Sequence, residues 1–332
     1  MTSTRLPFLS RLAALVVVVA LVAAACGDSG DTDNDATAAA TGSTDVADTT
    51  VVDEPVADAA EPTAETTDDS AEPTAAPVDE VDTVEATTDT ATCEDTAALF
   101  VSGGSVNPQL ADPFVAATCE GGELVISSNG IPDYTYIQTS PGDPAAQDYT
   151  FAIPAEPVVA DEPSDVALLG PIAIALNGVP IYGPTEGTGG DVLSLTGALS
   201  ECGSHNGPTG FHIHLFGTST TTDCMFTVEE VAAEPQLLGY AFDGYPIYTG
   251  NDQYTSSWQL TDESLFATDT WAAHSYVEGS GDLDECNGLV DENGDYAYYT
   301  TDTFPYVLGC YTGVVDPALT EGPGGRGGPP GG

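Results

Sequence analysis

The sequence predicts a mostly-β, disulfide-stapled single domain with an internal two-fold duplication, preceded by a disordered acidic tether. Three observations predict it. Short runs rich in Val, Ile, Tyr and Phe are bounded by Gly, Pro, Asn and Asp, the pattern of strands joined by turns. Six of the seven cysteines lie in one stretch, together with every aromatic residue beyond position 99. One octapeptide recurs, as Leu176-Asn-Gly-Val-Pro-Ile-Tyr-Gly183 and Phe242-Asp-Gly-Tyr-Pro-Ile-Tyr-Thr249.

Residues 1–25 read as a signal peptide. Arg5 and Arg11 precede the apolar run Leu12–Val22, which is shorter than the roughly 20 residues a bilayer span needs. Ala23-Ala24-Ala25-Cys26 then resembles the lipobox of bacterial lipoproteins, which implies a diacylglycerol on Cys26 and an extracytoplasmic domain anchored to the cell membrane. Residues 26–92 are Thr, Ala, Asp, Glu, Pro and Val with no aromatic residue, a composition that cannot bury enough apolar area to fold. As a coil such a tether spans roughly 45 Å, more with like-charge repulsion. Residues 93–316 form the domain, with units at about 172–227 and 237–313, and the Gly/Pro-rich residues 317–332 read as a disordered tail.

Within the domain, Glu123–Ser127, Tyr134–Gln138, Tyr149–Ile153 and Phe211–Phe216 are the clearest strand runs, and Val228–Glu234, closed by Pro235, is the one helix. The duplication extends past the octapeptide: Cys202 corresponds to Cys286, Gly210–His214 to Asp295–Tyr299, and Cys224 to Cys310. Six cysteines allow 15 pairings, but equivalent positions should pair equivalently. That favours Cys202–Cys224 and Cys286–Cys310, leaving Cys93–Cys119. A thiolate metal site is the competing reading, and the absence of any Cys-x-x-Cys counts against it.

These stretches also carry a resemblance. Asn177–Tyr182, Cys202–His214, Gly239–Tyr248, Leu283–Gly288 and Thr303–Tyr311 occur in the order seen in the YHYH-domain proteins, secreted or surface-anchored proteins frequent in bacteria. The resemblance covers residues 120–315. Where the family has Tyr-His-Tyr-His, this chain has Phe211-His212-Ile213-His214, and the second unit has Tyr296-Ala297-Tyr298-Tyr299 with no histidine. It implies a fold and a location rather than a reaction.

Charge excludes whole classes of function. There are 53 Asp+Glu against 3 Lys+Arg, a net charge of −50, and no lysine. Nucleic acid and anionic lipid surfaces both require basic clusters, so neither is a partner by electrostatics. Any membrane contact runs through the lipid.

Three of the four histidines, His205, His212 and His214, fall within ten residues. Positions i and i+2 of a strand share a face, so His212 and His214 can grip one ion, with His205 as a third nitrogen; imidazole suits zinc or copper. Asp282, Asp284, Asp291, Asn293 and Asp295 offer oxygen ligands of the kind calcium takes, without the EF-hand spacing. Tyr182 and Tyr248 read as core residues with a wet hydroxyl, and alternatively as a sugar-stacking platform. No Gly-x-Ser-x-Gly or His-Glu-x-x-His appears, which favours a non-enzymatic role. The expectation is a lipid-anchored extracellular domain binding a transition metal through its histidines. The alternative is a surface module for an extracellular glycan or protein, with structural histidines.

Overall fold

A computed structural model describes residues 91–320; the signal, Cys26 and most of the tether and tail lie outside them. The chain begins with a helical turn, α1 (Cys93–Ala97), capped by Thr92, whose hydroxyl accepts the Asp95 N–H. An antiparallel meander follows: β1 (Val115–Glu120), β2 (Glu123–Ser128) and β3 (Tyr149–Pro154). In β2 the buried residues alternate, Leu124 and Ile126 pointing inward. β4 (Val159–Asp165) pairs across the molecule with the last strand.

The centre is an eight-stranded sheet. Its first half consists of β5 (Pro171–Ala175), β6 (Pro180–Tyr182), β7 (Ser204–Gly207) and β8 (Gly210–Ile213). After α2 (Val228–Ala233), the second half begins with β9 (Leu237–Ala241) and β10 (Pro246–Tyr248). A side hairpin of β11 (Trp258–Leu260) and β12 (His274–Tyr276), bridged by α3 (Thr270–Ala273), interrupts it. Then come β13 (Gly288–Val290), β14 (Tyr296–Tyr299), β15 (Cys310–Gly313) and a final helical turn, α4 (Pro317–Thr320).

The strand order β13-β14-β10-β9-β5-β6-β8-β7 reads the same from either end once β9, β10, β13 and β14 are matched to β5, β6, β7 and β8. At the seam, Ala173 faces Ala241, Ile174 faces Tyr240 and Ala175 faces Gly239, so a local two-fold axis passes between Ile174 and Tyr240. The match continues in the loops. Gly203 and Asn287 both have positive φ, 74° and 68°, and their carbonyls accept the N–H groups of His214 and Tyr299, each at 3.0 Å. The duplication read from the sequence is the architecture of the sheet.

β5 is buried at all five positions, because the meander covers the sheet beside it. Phe151 of β3 meets Phe242 with ring centroids 5.1 Å apart, and the Ser128 hydroxyl donates to the Gly178 carbonyl. The three disulfides are Cys93–Cys119, Cys202–Cys224 and Cys286–Cys310, and the last two occupy equivalent places in the halves. Each closes a loop of 22 to 26 residues. Such a closure stabilises by about 3 kcal/mol through the unfolded chain. Disulfides of this kind belong to oxidising compartments outside the cytoplasm. Among the described residues no helix is long and apolar enough to cross a membrane.

Four sequence expectations need correcting. Tyr134–Gln138 is not a strand. Its tyrosines are buried as an alternating run requires, but a side chain takes the place of a partner strand. Asn107 Nδ2 donates to the Tyr134 carbonyl at 2.8 Å, and Asn107 Oδ1 accepts the Tyr136 N–H at 2.9 Å. The Phe211–Phe216 strand stops at Ile213, where the amides of His214 and Leu215 both turn to the Gly203 carbonyl. The expected tail begins with the ordered turn α4, and α1 and α3 join Val228–Ala233 as helices.

Candidate metal centre

The sequence brings three histidines to one edge of the sheet by hairpin register. β7 and β8 pair so that His205 lies directly opposite His212, and His214 follows two residues later on the same face. All three are buried, at 7%, 5% and 2% exposure. Their Nε2 atoms converge: His205 to His212 is 2.9 Å, His212 to His214 is 3.1 Å, and all three fall within 4.8 Å of one another.

The opposite ring edges fix what these nitrogens are. His212 Nδ1 lies 2.9 Å from the Gly210 carbonyl and His214 Nδ1 2.6 Å from the Gly183 carbonyl. A carbonyl only accepts, so each Nδ1 carries the ring proton and each Nε2 presents a bare lone pair. His205 is likewise hydrogen-bonded to backbone, at Ala198. Two lone pairs, on His212 and His214, therefore point into one space, and the Nε2 of His205 faces them. Without a cation between them they repel; with one, they are a ligand set whose outer partners already orient the rings.

Burial keeps the rings neutral. It pulls His214 down to about 4 and His212 well below the usual histidine value, each assisted by its neighbouring histidines. Burial lowers His205 too, opposed by the charge of Glu186. At neutral pH no proton competes for the three nitrogens. Tyr182 covers His212, stacked with centroids 3.9 Å apart and 16° between the planes, and its hydroxyl meets Thr209 at 3.0 Å. Gly207 is required on the other side, since a Cβ there would stand 2.7 Å from His212 Cε1.

Glu186 is the participant that sequence reasoning missed. Its Oε1 lies 3.8 Å from His205 Nε2, and the atom is buried with no hydrogen-bond partner. The available signal was its place in the loop that follows the first Pro-Ile-Tyr, four residues after Tyr182.

The two-fold supplies an internal comparison. Register matches His205, His212 and His214 to Leu289, Ala297 and Tyr299. The scaffold is duplicated while the ligands are single.

The other candidates are placed differently. Asp282 accepts from the Thr255 amide and hydroxyl at 2.8 and 2.7 Å. Asp284 accepts from the amides of Cys286 and Gly288 and from the Tyr296 hydroxyl, and Asp291 from the amides of Asn293 and Asp295. Asp284 and Asp291 cap their own turns and Asp282 is held by Thr255, so the calcium ligand set Asp282, Asp284, Asp291, Asn293 and Asp295 does not assemble. Among the described residues, the one group of three or more His, Cys, Asp or Glu side chains gathered closely enough to hold an ion is His205, His212 and His214. The fourth histidine, His274, stacks on Phe304 at 4.1 Å and gives its Nδ1 proton to the Thr270 carbonyl. Tyr182 is inside the histidine site rather than on a sugar platform, and Tyr248 is half-buried against Tyr299.

Compared with known proteins, residues 150–313 match the sequence model of one family, described as YHYH protein. No curated protein and no solved structure matches the chain.

Proposed function

We propose that this chain, a YHYH-domain protein, holds a transition metal, zinc or copper, through His205, His212 and His214 outside the cytoplasm. The convergence of three Nε2 atoms, with the rings of His212 and His214 each turned by a carbonyl behind it, carries the reading. Zinc–imidazole bonds of about 2.0–2.1 Å set nitrogens on a tetrahedral ion roughly 3.3–3.4 Å apart. The spacings of 2.9 and 3.1 Å need only slight opening to reach that. The bound ion would supply a Lewis-acidic centre or a redox centre; the chain's residues orient the rings, hold the protons of His212 and His214 on Nδ1 and exclude water.

The arrangement of signal, Cys26 and tether supports anchoring of this domain to the membrane by lipid on Cys26. The test of the metal reading is titration of chelated protein with zinc and copper. The wild type should bind one equivalent, and the His205→Ala/His212→Ala/His214→Ala variant none. Equal weak binding by both refutes the reading.

A second reading has its own observation. A cavity of about 500 Å3 is lined by Trp258, Phe266, His274 and Phe304, with exposed Gln259 and Ser280 beside them. Aromatic faces flanked by amide and hydroxyl groups suit an uncharged sugar ring. Binding of neutral oligosaccharides that survives chelation and is lost in Gln259→Ala would favour it.

A further inference from the structure

We infer that Glu186 is the fourth, anionic ligand of the centre, and that the site therefore selects a divalent ion over copper(I). The inference rests on the metal reading above and adds to it the shell, its charge and its preference.

The carboxylate is otherwise unexplained. Glu186 Oε1 is buried and makes no hydrogen bond, although a buried acceptor without a partner costs free energy that nearby residues normally relieve. The chain has no lysine, and among the described residues there is no arginine either, so none of them offers the carboxylate a fixed cation. With burial disfavouring a proton on His205, the positive charge that the site could acquire at neutral pH is a metal between the three histidines. Oε1 is 3.8 Å from His205 Nε2, just outside the cluster that the three histidines form, and donors sharing a tetrahedral ion stand about 3.3–3.4 Å apart, so the side chain has to rotate toward His212 and His214 to enter the shell.

The backbone holds Glu186 at that point. Its N–H donates to the Gly190 carbonyl and its carbonyl accepts the Gly189 N–H, both at 2.8 Å. Thr185 pairs with Asp191 immediately outside that turn. The same short segment also supplies Tyr182, which covers His212, and the Gly183 carbonyl, which orients His214. The end of β6 and the loop after it thus provide the cover, an orienting carbonyl and the carboxylate.

Charge sets the preference. Three neutral imidazoles leave a buried divalent ion with its full +2; one carboxylate halves it in a setting where unpaired charge is expensive. Copper(I) brings only one charge and favours softer ligands, so it gains least from a carboxylate.

The test compares wild type, Glu186→Gln and Glu186→Asp, each as the full chain with metal removed. Zinc and cobalt(II) are titrated by competition with a chromophoric chelator, and copper(I) under anaerobic reductant. Zinc affinity should fall at least tenfold in Glu186→Gln, with Glu186→Asp in between. The cobalt(II) visible spectrum should change in Glu186→Gln, and copper(I) affinity should move less than threefold. Metal-free Glu186→Gln should melt at or above the wild-type temperature, because no hydrogen bond is lost. If wild type binds zinc and Glu186→Gln binds it within twofold, Glu186 is not a ligand while the histidine site stands. Metal-free melting several degrees lower overturns the inference as well, by giving the carboxylate a structural task. Failure of wild type to bind any of the three ions removes the metal reading itself.

Discussion

Acidifying the metal-free protein should destabilise it by an amount that can be worked from one buried ring. In the fold His214 is held near 4, against about 6.5 for a free imidazole. A base whose folded value is depressed leaves the unfolded chain binding more protons, so stability declines as pH falls through 6.5 and levels off below 4. The full difference is 2.5 units, about 3.4 kcal/mol at 1.36 kcal/mol per unit, and about 2.5 kcal/mol of it is gone by pH 4.5. The ring is 2% exposed, so solvent does little to screen the effect. His212 shifts in the same direction and steepens the loss. The assay is urea denaturation of chelated protein at pH 8, 6.5, 5.5 and 4.5, beside His214→Gln. Carboxylates titrate in both proteins, so the difference between the two curves isolates the imidazole. Parallel curves would refute the reasoning, because they would mean that the fold does not hold His214 neutral.

Other outcomes follow from the same geometry. Tyr298→Phe removes the hydroxyl that donates to Asp243 Oδ2 and accepts the Thr312 N–H at 2.8 Å. The buried Asp243 carboxylate keeps the Gly313 N–H but loses one donor, and the half-buried Thr312 N–H loses its acceptor, which costs about 2 kcal/mol by denaturant midpoint; a loss under about 0.5 kcal/mol would contradict it. Gly203→Ala places a Cβ 1.9 Å from the Leu215 carbonyl at a φ of +74°. It should destabilise by about 2–4 kcal/mol and weaken zinc binding, because Gly203 anchors the His214 amide. Replacing Cys202 and Cys224 together by Ser should cost about 3 kcal/mol, read from thermal melts against the unreduced wild type.

Much of this molecule was legible because its sequence repeats. The offset between the two Pro-Ile-Tyr runs led to equivalent cysteines and from them to the pairing, which the bonded sulfurs reproduce. His212 and His214 were readable as neighbours from strand periodicity, and β2 and β3 from alternation. What sequence could not supply depends on contacts between distant segments. Tyr134–Gln138 has the pattern of a strand, yet its partner is one asparagine about thirty residues earlier. Glu186 sits in a loop, where no periodicity assigns a direction to a side chain. The decisive chemistry, a proton fixed on Nδ1 of His212 and of His214, comes from carbonyls at Gly210 and Gly183 that no residue type announces. The acidic run at 282–295 shows the reverse case: ligand-type residues close in sequence, of which Asp284 and Asp291 are taken up by their own turns and Asp282 by Thr255.

The seam between β5 and β9 has a consequence for the first half on its own. Ile174 and Tyr240 are the same position in two copies, paired antiparallel as identical strands pair across a homodimer. A chain limited to the first unit would expose β5, an apolar edge buried along its whole length in the intact molecule. Such a fragment should self-associate isologously, Ile174 against Ile174, and rebuild the eight-stranded sheet with a histidine cluster near each end. The present protein would then be the fused and specialised descendant of a two-site dimer, with one partner keeping its imidazoles and the other carrying leucine, alanine and tyrosine in their place.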